Sequence, residues 1–433
     1  MTALECLEEG LRTDIKAATG CTEPVAIALA ASHATRLAGG EVETLEVRLS
    51  TNLFKNAVEV GIPGTHGAHG IELAAALGSH SPAPQPDLTL LSSIDDGWLA
   101  RAQAMILARR VVLQIDQARH GLHVECVARA RGGTGRAIIS GSHEHVALLE
   151  RNGTVIHEAP DHDAGKSSKV LEVRRSLAEA PFGELVEALP QMSDEVRQYL
   201  QDGVEMNRKV AEAGLGNGGL LKIGSAYRTL IQKGWLANDV ITRAKMLTSA
   251  AVDARMSGCD LTVMTSGGSG NQGLTITLPL SVLATVRNIA ESRLTEALAL
   301  ANATTSILKH HTGTLSAMCG CVVCAGTGLT AGVSYLLGGD LGTITAAVNN
   351  MAGGITGIIC DGAKVGCSVK LVTAVDAAFQ SAFMALHGVS LPSSNGVLGA
   401  TVGESLRNIG LIAAPGMVGT DAQILAIMAN KPL

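Results

Sequence analysis

Apolar residues recur every three or four positions near the N-terminus, which predicts an amphipathic helix that stops at Gly20. A second helix is predicted over 24–37, because Pro24 suits a first helical turn and Gly39 follows the last apolar turn. The same spacing returns in the second half of the chain. It predicts further helices over 241–256, 280–311 and 422–431.

Between these helical regions, apolar and polar residues alternate, which is typical of strands with one buried face. VETLEVRLS (42–50) and HVECVARA (123–130) are two such strands. EHVALLERNGTVIHEA (144–159) predicts a hairpin, because Asn152-Gly153 between two alternating runs is a strong signal for a two-residue turn.

The order of these elements predicts an α+β fold with two regions. Residues 1–165 form an N-terminal α/β region with an antiparallel sheet, and residues 166–433 form a large, mostly helical, Gly- and Ala-rich C-terminal domain. The acidic, Pro-punctuated segment APDHDAGKSS (159–168) is the expected boundary. Helices this rich in small residues are expected to pack closely against one another.

Composition narrows the class of protein. The chain has 433 residues, of which 46% are hydrophobic, 17% charged and 2% aromatic, and it has 50 irregularly spaced glycines. This excludes a disordered chain and a collagen-like one. The net charge of −6 and the few aromatic residues argue against a nucleic-acid partner. A small-molecule enzyme is the best interpretation, and the sequence leaves a homodimer open.

The N-terminal segment has early acidic residues and no uninterrupted apolar core, so we expect no signal peptide and a cytoplasmic location. The stretches 312–339 and 341–360 lack charged residues, as a membrane span would. They are rich in small polar residues and lack flanking aromatic belts, so we expect buried helices and no membrane partner. Nine cysteines in such a chain favour metal binding or catalysis over disulfides.

Several cysteines crowd into the uncharged region, in MCGCVVC (318–324) and ICDGAKVGC (359–367). The paired short knuckles of a zinc ribbon are absent. Thiolates from separated, Gly-lined segments better suit an iron–sulfur cluster. The alternative, that each is a small buried apolar side chain, stays open at this point. The residues concerned are Cys319, Cys321, Cys324, Cys360 and Cys367.

Cys21 in GCTEP precedes a helix N-terminus, where unpaired N–H groups favour a thiolate, although Glu23 opposes that shift. Cys21 is therefore a candidate base, nucleophile or ligand, or an inert packed thiol. TSGGSGNQG (265–273) follows an apolar run and is either a plain turn or a cradle for a carboxylate or phosphate. The polar side chains of this loop are Thr265, Ser266, Ser269 and Asn271.

Two further segments carry candidate chemistry. NLFKN (52–56) contains Asn52, Lys55 and Asn56, where a cation and amides could bind a small carboxylate or lie on a plain loop. KHHTG (309–313) has Lys309 and His310 at a helix end. There they either complement the helix dipole or donate a proton beside a metal site.

Together these segments resemble the bacterial and archaeal cysteine desulfidase family, also called the UPF0597 or serine dehydratase-like group. The resemblance covers most of the chain and is specific when its blocks are taken together. The blocks are GCTEPVAIALA (20–30), NLFKNAVEVGIPGT (52–65), SGGSGNQGLT (266–275), KHHTGTLSAMCGC (309–321) and ICDGAKVGC (359–367). The chain departs from the pattern in having His311 where Asn is expected, and an extra thiol, Cys324.

The resemblance implies a [4Fe–4S] cluster held by three cysteines, with one iron left open for substrate. It assigns the ligands Cys321, Cys360 and Cys367, with Cys319 as the rival for the first position. It also implies that Cys21 approaches the cluster, as a base or as a resting fourth ligand.

The activity that the resemblance implies is β-elimination of L-cysteine to sulfide, ammonia and pyruvate, with the open iron as Lewis acid. In that reaction Cys21 takes the α-proton, and Lys55, Asn56 and the 265–271 loop hold the substrate. L-serine dehydration by the same mechanism is one alternative, and a non-catalytic iron–sulfur or redox-sensing protein is another. A pyridoxal phosphate enzyme is disfavoured, because Lys55 precedes the Gly-rich loop by about 210 residues.

Overall fold

The computed structural model describes residues 2–81, 86–87, 89–91, 94–119, 121–159, 169–313 and 315–430. Its strands are β1 (Ala17–Thr19), β2 (Val42–Ser50), β3 (Val111–Asp116), β4 (His123–Ala130), β5 (Gly133–Ser140), β6 (Val146–Arg151), β7 (Thr154–Glu158) and β8 (Thr262–Met264). Its helices in the first half of the chain are α1 (Ala3–Asp14), α2 (Thr22–Ala38), α3 (Thr51–Ala57), α4 (Ile71–Ser79), α5 (Asp96–Leu107), α6 (Lys169–Glu179), α7 (Phe182–Ala188) and α8 (Asp194–Ala213). Those in the second half are α9 (Ile223–Gln232), α10 (Val240–Met256), α11 (Gly270–Arg287), α12 (Glu291–Thr312), α13 (Cys324–Leu336), α14 (Leu341–Ile355), α15 (Cys367–Leu386), α16 (Val402–Leu411) and α17 (Val418–Ala429).

The predicted α+β fold is confirmed. A six-stranded sheet has the order β3-β2-β4-β5-β6-β7, and α2 and α4 pack on it. The predicted strands 42–50 and 123–130 match β2 and β4, and Asn152 and Gly153 join β6 to β7 with positive φ angles, as their turn type requires. The sheet differs from the expected antiparallel one in a single pair, since β3 runs parallel to β2. That crossover passes through α3, α4 and α5.

The helical region packs around α12 and α13, which approach closely because small residues face each other. A Cβ atom added to Gly328 would lie only 2.3 Å from the carbonyl oxygen of Ala301. α13 is buried along its whole length, as expected for this uncharged stretch. The single helix predicted over 280–311 is wrong, because α11 ends at Arg287 and α12 begins at Glu291. Asn288 takes a left-handed conformation that ends α11, a geometry that asparagine tolerates.

Each region borrows an element from the opposite end of the chain. α1 packs in the helical core with α6 and α12, and β1 pairs with β8. Conversely, α17 packs on α3, and Leu425 lies against the core beneath the sheet. The predicted boundary near residue 165 lies outside the described residues. The packing of α1 and β1 in the helical region brings the Gly20–Cys21 segment to that region.

One helix in the described part of the chain, α15, is long and apolar enough to cross a membrane by length and composition. Of its most apolar window, 44% is buried inside the protein, and one such helix is weak evidence for a membrane span. The bent pair Val402–Gly416 and Val418–Met428 passes that test only when both helices are taken together.

Candidate functional site

A cavity of about 100 Å³ collects most of the residues that the sequence singled out. It lies where the first turns of α2 and α11 meet the end of α12 and the two cysteine-bearing loops. We call it the cysteine cavity. The expected residues that line it are Cys21, Asn56, Ser269, Asn271, Lys309, Cys319, Cys321, Cys360 and Cys367.

Backbone hydrogen bonds join the two cysteine-bearing loops. The Cys319 N–H donates to the carbonyl of Ile358 over 2.9 Å, and the Cys360 N–H donates to that of Ala317 over 2.6 Å. The two loops therefore run side by side in opposite directions. This pairing brings the side chains of Cys319 and Cys360 into hydrogen-bonding contact, although they are far apart in the sequence.

The second loop is seated against α3 through Gly362. This glycine has a φ of +99°, and a Cβ atom there would lie 1.9 Å from the carbonyl oxygen of Lys55. Any larger residue would push the loop off the helix. The loop then turns into α15, whose first residue is Cys367, and the Cys367 Sγ lies 3.7 Å from the Gly362 carbonyl oxygen.

The environment raises the pKa of three thiols in the two loops, Cys319, Cys360 and Cys367. The pKa of Cys319 is raised to about 12, first by its hydrogen bond to Cys321 and also by burial, against a lowering by Cys360. The pKa of Cys360 is raised by its hydrogen bond to Cys319 and by burial, and burial raises the pKa of Cys367. A metal that binds here must displace these protons, so its affinity will rise with pH.

The cysteine cavity suits a cluster better than a single ion. Among the described residues, no group of three or more His, Cys, Asp or Glu side chains is arranged to hold one metal ion. Soft thiol ligands from separate loops, spread around one space, are the donors that iron–sulfur clusters use. The residues present therefore fit a [4Fe–4S] cluster.

Cys21 reaches the cavity from the N-terminal end of α2. Its Sγ donates a hydrogen bond to Glu23 Oε2 over 3.1 Å. Burial raises the pKa of Cys21, and Glu23 raises it further, against a lowering by Arg255. The lowering expected from the helix N-terminus is therefore outweighed, and Cys21 is a thiol at neutral pH. It belongs to the same apolar cluster as Cys367.

Arg255 of α10 ties the Cys21 segment to the Gly-rich loop. One guanidinium nitrogen donates to the Gly20 carbonyl over 2.8 Å, and another donates to Asn271 Oδ1 over 2.9 Å. The strand pair β1–β8 brings the two segments together from below. Asn271 and Ser269 thus face the cavity at the start of α11, so part of the predicted loop is the first turn of a helix.

Lys309 and Gln272 extend toward the first cysteine loop. Lys309 lies on the last turn of α12, and burial lowers its pKa. The buried Gln272 Oε1 has no hydrogen-bond partner among the described residues. A Cβ atom on Gly320 would lie 3.1 Å from Gln272 Nε2 and 3.8 Å from Lys309 Nζ, so this glycine leaves space for both polar groups.

The structure does not bring Lys55 and Asn52 into the lining of the cavity. The Lys55 side chain, 1% exposed, points to α17 and lies 2.5 Å from Asp421 Oδ1. It also donates to the Ser316 carbonyl over 3.4 Å, and Asn52 Nδ2 donates to Asp421 Oδ2. Both expected substrate-binding residues thus hold the C-terminal helix next to the site.

Three other expected residues also lie outside the lining. Thr265 Oγ1 accepts a hydrogen bond from the Lys16 N–H, and the Ser266 Oγ is buried without a partner in the described part of the chain. His310 is exposed, one residue beyond Lys309 on α12. Because adjacent helical residues point in different directions, only Lys309 faces inward.

Sequence reasoning did not assign site roles to several lining residues: Glu23, His143, Arg255, Gln272 and Lys370. Glu23 was considered only for its effect on the Cys21 thiol. His143 follows β5 in an ordinary hairpin connection, and Arg255 and Lys370 lie within helices. Nothing in the local sequence of His143, Arg255 or Lys370 indicates a site, because only the tertiary fold brings these residues to the cavity.

Comparisons with known proteins show which family the chain belongs to. The family model described as serine dehydratase alpha chain matches residues 89–426. The UPF0597 protein of Desulfatibacillum aliphaticivorans is 36% identical over 426 residues, covering 97% of both chains. Those of Alkaliphilus oremlandii and Clostridium tetani are 37% and 36% identical and cover 96% and 98% of both chains. The family match begins after Cys21. The chain belongs to the serine dehydratase alpha-chain family and, within it, to the UPF0597 proteins.

Proposed function

We propose that the protein is a cysteine desulfidase, a lyase that eliminates the β-substituent of L-cysteine to give sulfide, ammonia and pyruvate. Membership of the serine dehydratase family supports a lyase of small amino acids. The observation that carries the finer proposal is the gathering of five thiols and a buried lysine around one cavity: Cys21, Cys319, Cys321, Cys360, Cys367 and Lys309.

Cys360 and Cys367, with Cys321 or its rival Cys319, would hold a [4Fe–4S] cluster. When bound, the cluster supplies a Lewis-acidic iron with an affinity for soft ligands, which favours a substrate thiol.

Cys21 is the proposed base. It lies apart from the paired cysteine loops, and its Sγ would accept the proton from the substrate α-carbon. In the free site that sulfur carries its own proton and donates a hydrogen bond to Glu23 Oε2. Arg255 favours the thiolate, whereas burial and Glu23 oppose it. Cys21 must therefore release its own proton to solvent before each turnover, and the α-proton then replaces it, while Lys309 regains its proton from solvent.

Lys309 is the proposed acid. Burial lowers its pKa, so its Nζ gives up a proton more readily than an exposed lysine does. A proton from Nζ to the departing sulfur, matched by the α-proton taken at Cys21, balances the elimination. The aminoacrylate that remains hydrolyses in water to pyruvate and ammonia.

L-serine is the second candidate substrate, because the matching family is described as serine dehydratase alpha chain. The chemistry differs only in the leaving group. A comparison of kcat/KM for L-cysteine and L-serine decides between the two.

The test is sulfide and pyruvate release by anaerobically reconstituted protein. We expect activity in wild type, and none in Cys360→Ala or Cys367→Ala. Cys126→Ala is the matched control, because Cys126 is a buried thiol of β4 that does not line the cavity. Full activity of both cavity variants would contradict the proposal.

A further inference from the structure

The charges that line the cysteine cavity are unequal. Among the described lining residues, the cations are Arg255, Lys309 and Lys370, and Glu23 is the one carboxylate. Lys370 is bound to Asp361 outside the lining. A substrate that carries both charges would therefore meet several candidate partners for its carboxylate but one for its ammonium group.

Among the described residues, Glu23 forms no ion pair with a lysine or an arginine. Its side chain is 13% exposed, and Oε2 accepts hydrogen bonds from Cys21 Sγ and Thr22 Oγ1. In the described part of the chain, no Lys or Arg nitrogen lies within ion-pair distance of it. The nearest basic atom is His143 Nε2, 4.0 Å from Oε1, and burial lowers the pKa of that histidine. A largely buried carboxylate in this position favours a bound cation.

Arg255 offers the opposite charge near Cys21. Its side chain is buried, and it donates to the carbonyl of Gly20, the residue before Cys21. Its Nε is buried without a hydrogen-bond partner among the described residues. A guanidinium group and a carboxylate that both line the cavity therefore both act on Cys21.

An α-amino acid carries its ammonium and carboxylate groups on the same carbon. If these groups engage the two charges that act on Cys21, the α-carbon is held near the Cys21 sulfur, where its proton can be removed. The remaining cations lie elsewhere, since Lys309 reaches toward Gly320 and Lys370 is neutralised by Asp361.

We propose that Glu23 binds the α-ammonium group of the substrate and Arg255 its α-carboxylate, so that the cavity selects zwitterionic α-amino acids. The assignment rests on the proposed function and deepens it by naming the groups that recognise the substrate. In this assignment Arg255 binds the carboxylate that the sequence suggested Lys55 would bind. The ammonium group of Lys55 is paired with Asp421 instead.

Three thiol probes separate the two contacts, because all three keep the thiol, the β-carbon and the α-carbon of L-cysteine and differ in the charged groups on the α-carbon. L-cysteine has both charged groups, cysteamine lacks the carboxylate, and 3-mercaptopropionate lacks the amine. Binding of each to reconstituted protein is measured by calorimetry under anaerobic conditions. For Glu23→Gln we expect about 10- to 100-fold weaker binding of L-cysteine and cysteamine, and a change of less than about threefold for 3-mercaptopropionate.

Arg255→Gln should give the reciprocal pattern, with L-cysteine and 3-mercaptopropionate weakened and cysteamine spared. Because Arg255 also holds two loops, the Glu23 variant carries the decision if Arg255→Gln fails to fold. Glu23→Asp retains the charge and should keep the preference for L-cysteine over 3-mercaptopropionate. Glu144→Gln is the matched control, because it makes the same substitution at an exposed residue of the β5–β6 connection. It should leave the binding of all three probes unchanged.

Equal loss of all three probes in Glu23→Gln, or no loss of any, overturns the assignment. If wild type releases sulfide from L-cysteine but Glu23→Gln weakens all three probes equally or none of them, the recognition by Glu23 is wrong and the proposed function stands. If wild type binds none of the probes and releases no sulfide, both the assignment and the proposed function fail.

Discussion

Replacing Asp421 with alanine should release the C-terminal helix from the rest of the protein. Asp421 is the anionic partner of Lys55, whose ammonium group is almost completely buried. The substitution leaves that charge with the Ser316 carbonyl as its remaining hydrogen-bond acceptor. It also removes the acceptor of Asn52 Nδ2. Ile424 is the one buried side chain of α17 in the described part of the chain, and Leu425 and Met428 are only partly buried against the core beneath the sheet.

The structure sets the size of the effect. At an effective dielectric constant of about 20, two unit charges at contact attract by about 4 to 7 kcal/mol, most of which offsets their desolvation. Removing one partner of a buried pair costs about 3 to 5 kcal/mol, because the other charge stays buried. Asp421 is 21% exposed, so water can partly replace it. We therefore expect a loss of about 2 to 4 kcal/mol.

Hydrogen–deuterium exchange followed by mass spectrometry measures this loss locally. The exchange of residues 418–429 should speed up by about 30- to 1000-fold in Asp421→Ala, while the sheet strands keep their protection. Asp376→Ala is the matched control, because Asp376 is 51% exposed in its pair with Lys245 and such pairs contribute little. Less than a threefold change in the helix of the Asp421 variant would refute the reasoning.

Three further predictions concern the cysteine-bearing loops. If Cys321 is the first cluster ligand, Cys321→Ser should lose iron and Cys319→Ser should retain it. If Cys319 is the ligand, iron analysis of the two variants should give the reverse result. Gly362→Ala should displace the second loop, because the new Cβ would lie 1.9 Å from the Lys55 carbonyl oxygen; unchanged iron uptake by that variant would contradict this. The pKa of Asp361 is lowered to about 2, because its lysine partners outweigh its burial. Its stabilising contribution is therefore complete above its unfolded pKa of 3.8 and is lost as the pH falls toward 2, and a carboxyl titration by NMR near 4 would disprove it.

Local patterns were enough to predict much of the fold. The strands 42–50 and 123–130 and the Asn152-Gly153 turn follow from alternation and turn chemistry, which act over a few residues. The break at Asn288 was missed, because the apolar pattern continues across it and one residue alone ends the helix. The parallel pairing of β2 and β3 was also missed, since it depends on contacts distant in the sequence.

The candidate site could be predicted from the sequence only in part. Cys360 and Cys367 share one short loop, but their spacing alone left open both a cluster and inert buried thiols. That Lys55 lies outside the lining could not be predicted, because its partner Asp421 lies more than 360 residues away and carries no motif. Arg255 was not assigned to substrate for the same reason, since its relation to Cys21 depends on how α2 meets α10. Glu23 lies in the GCTEP block and was considered only for its effect on the Cys21 thiol.

The central claim is that the cysteine cavity holds an iron–sulfur cluster through the cysteines of the two loops. Iron and acid-labile sulfide content of anaerobically reconstituted protein tests it most directly. We predict about four iron atoms and four sulfides per chain in wild type and in Cys126→Ala, and a loss of both in Cys360→Ala and Cys367→Ala. A wild-type chain that takes up no iron, or a full complement retained by both cavity variants, would contradict the account.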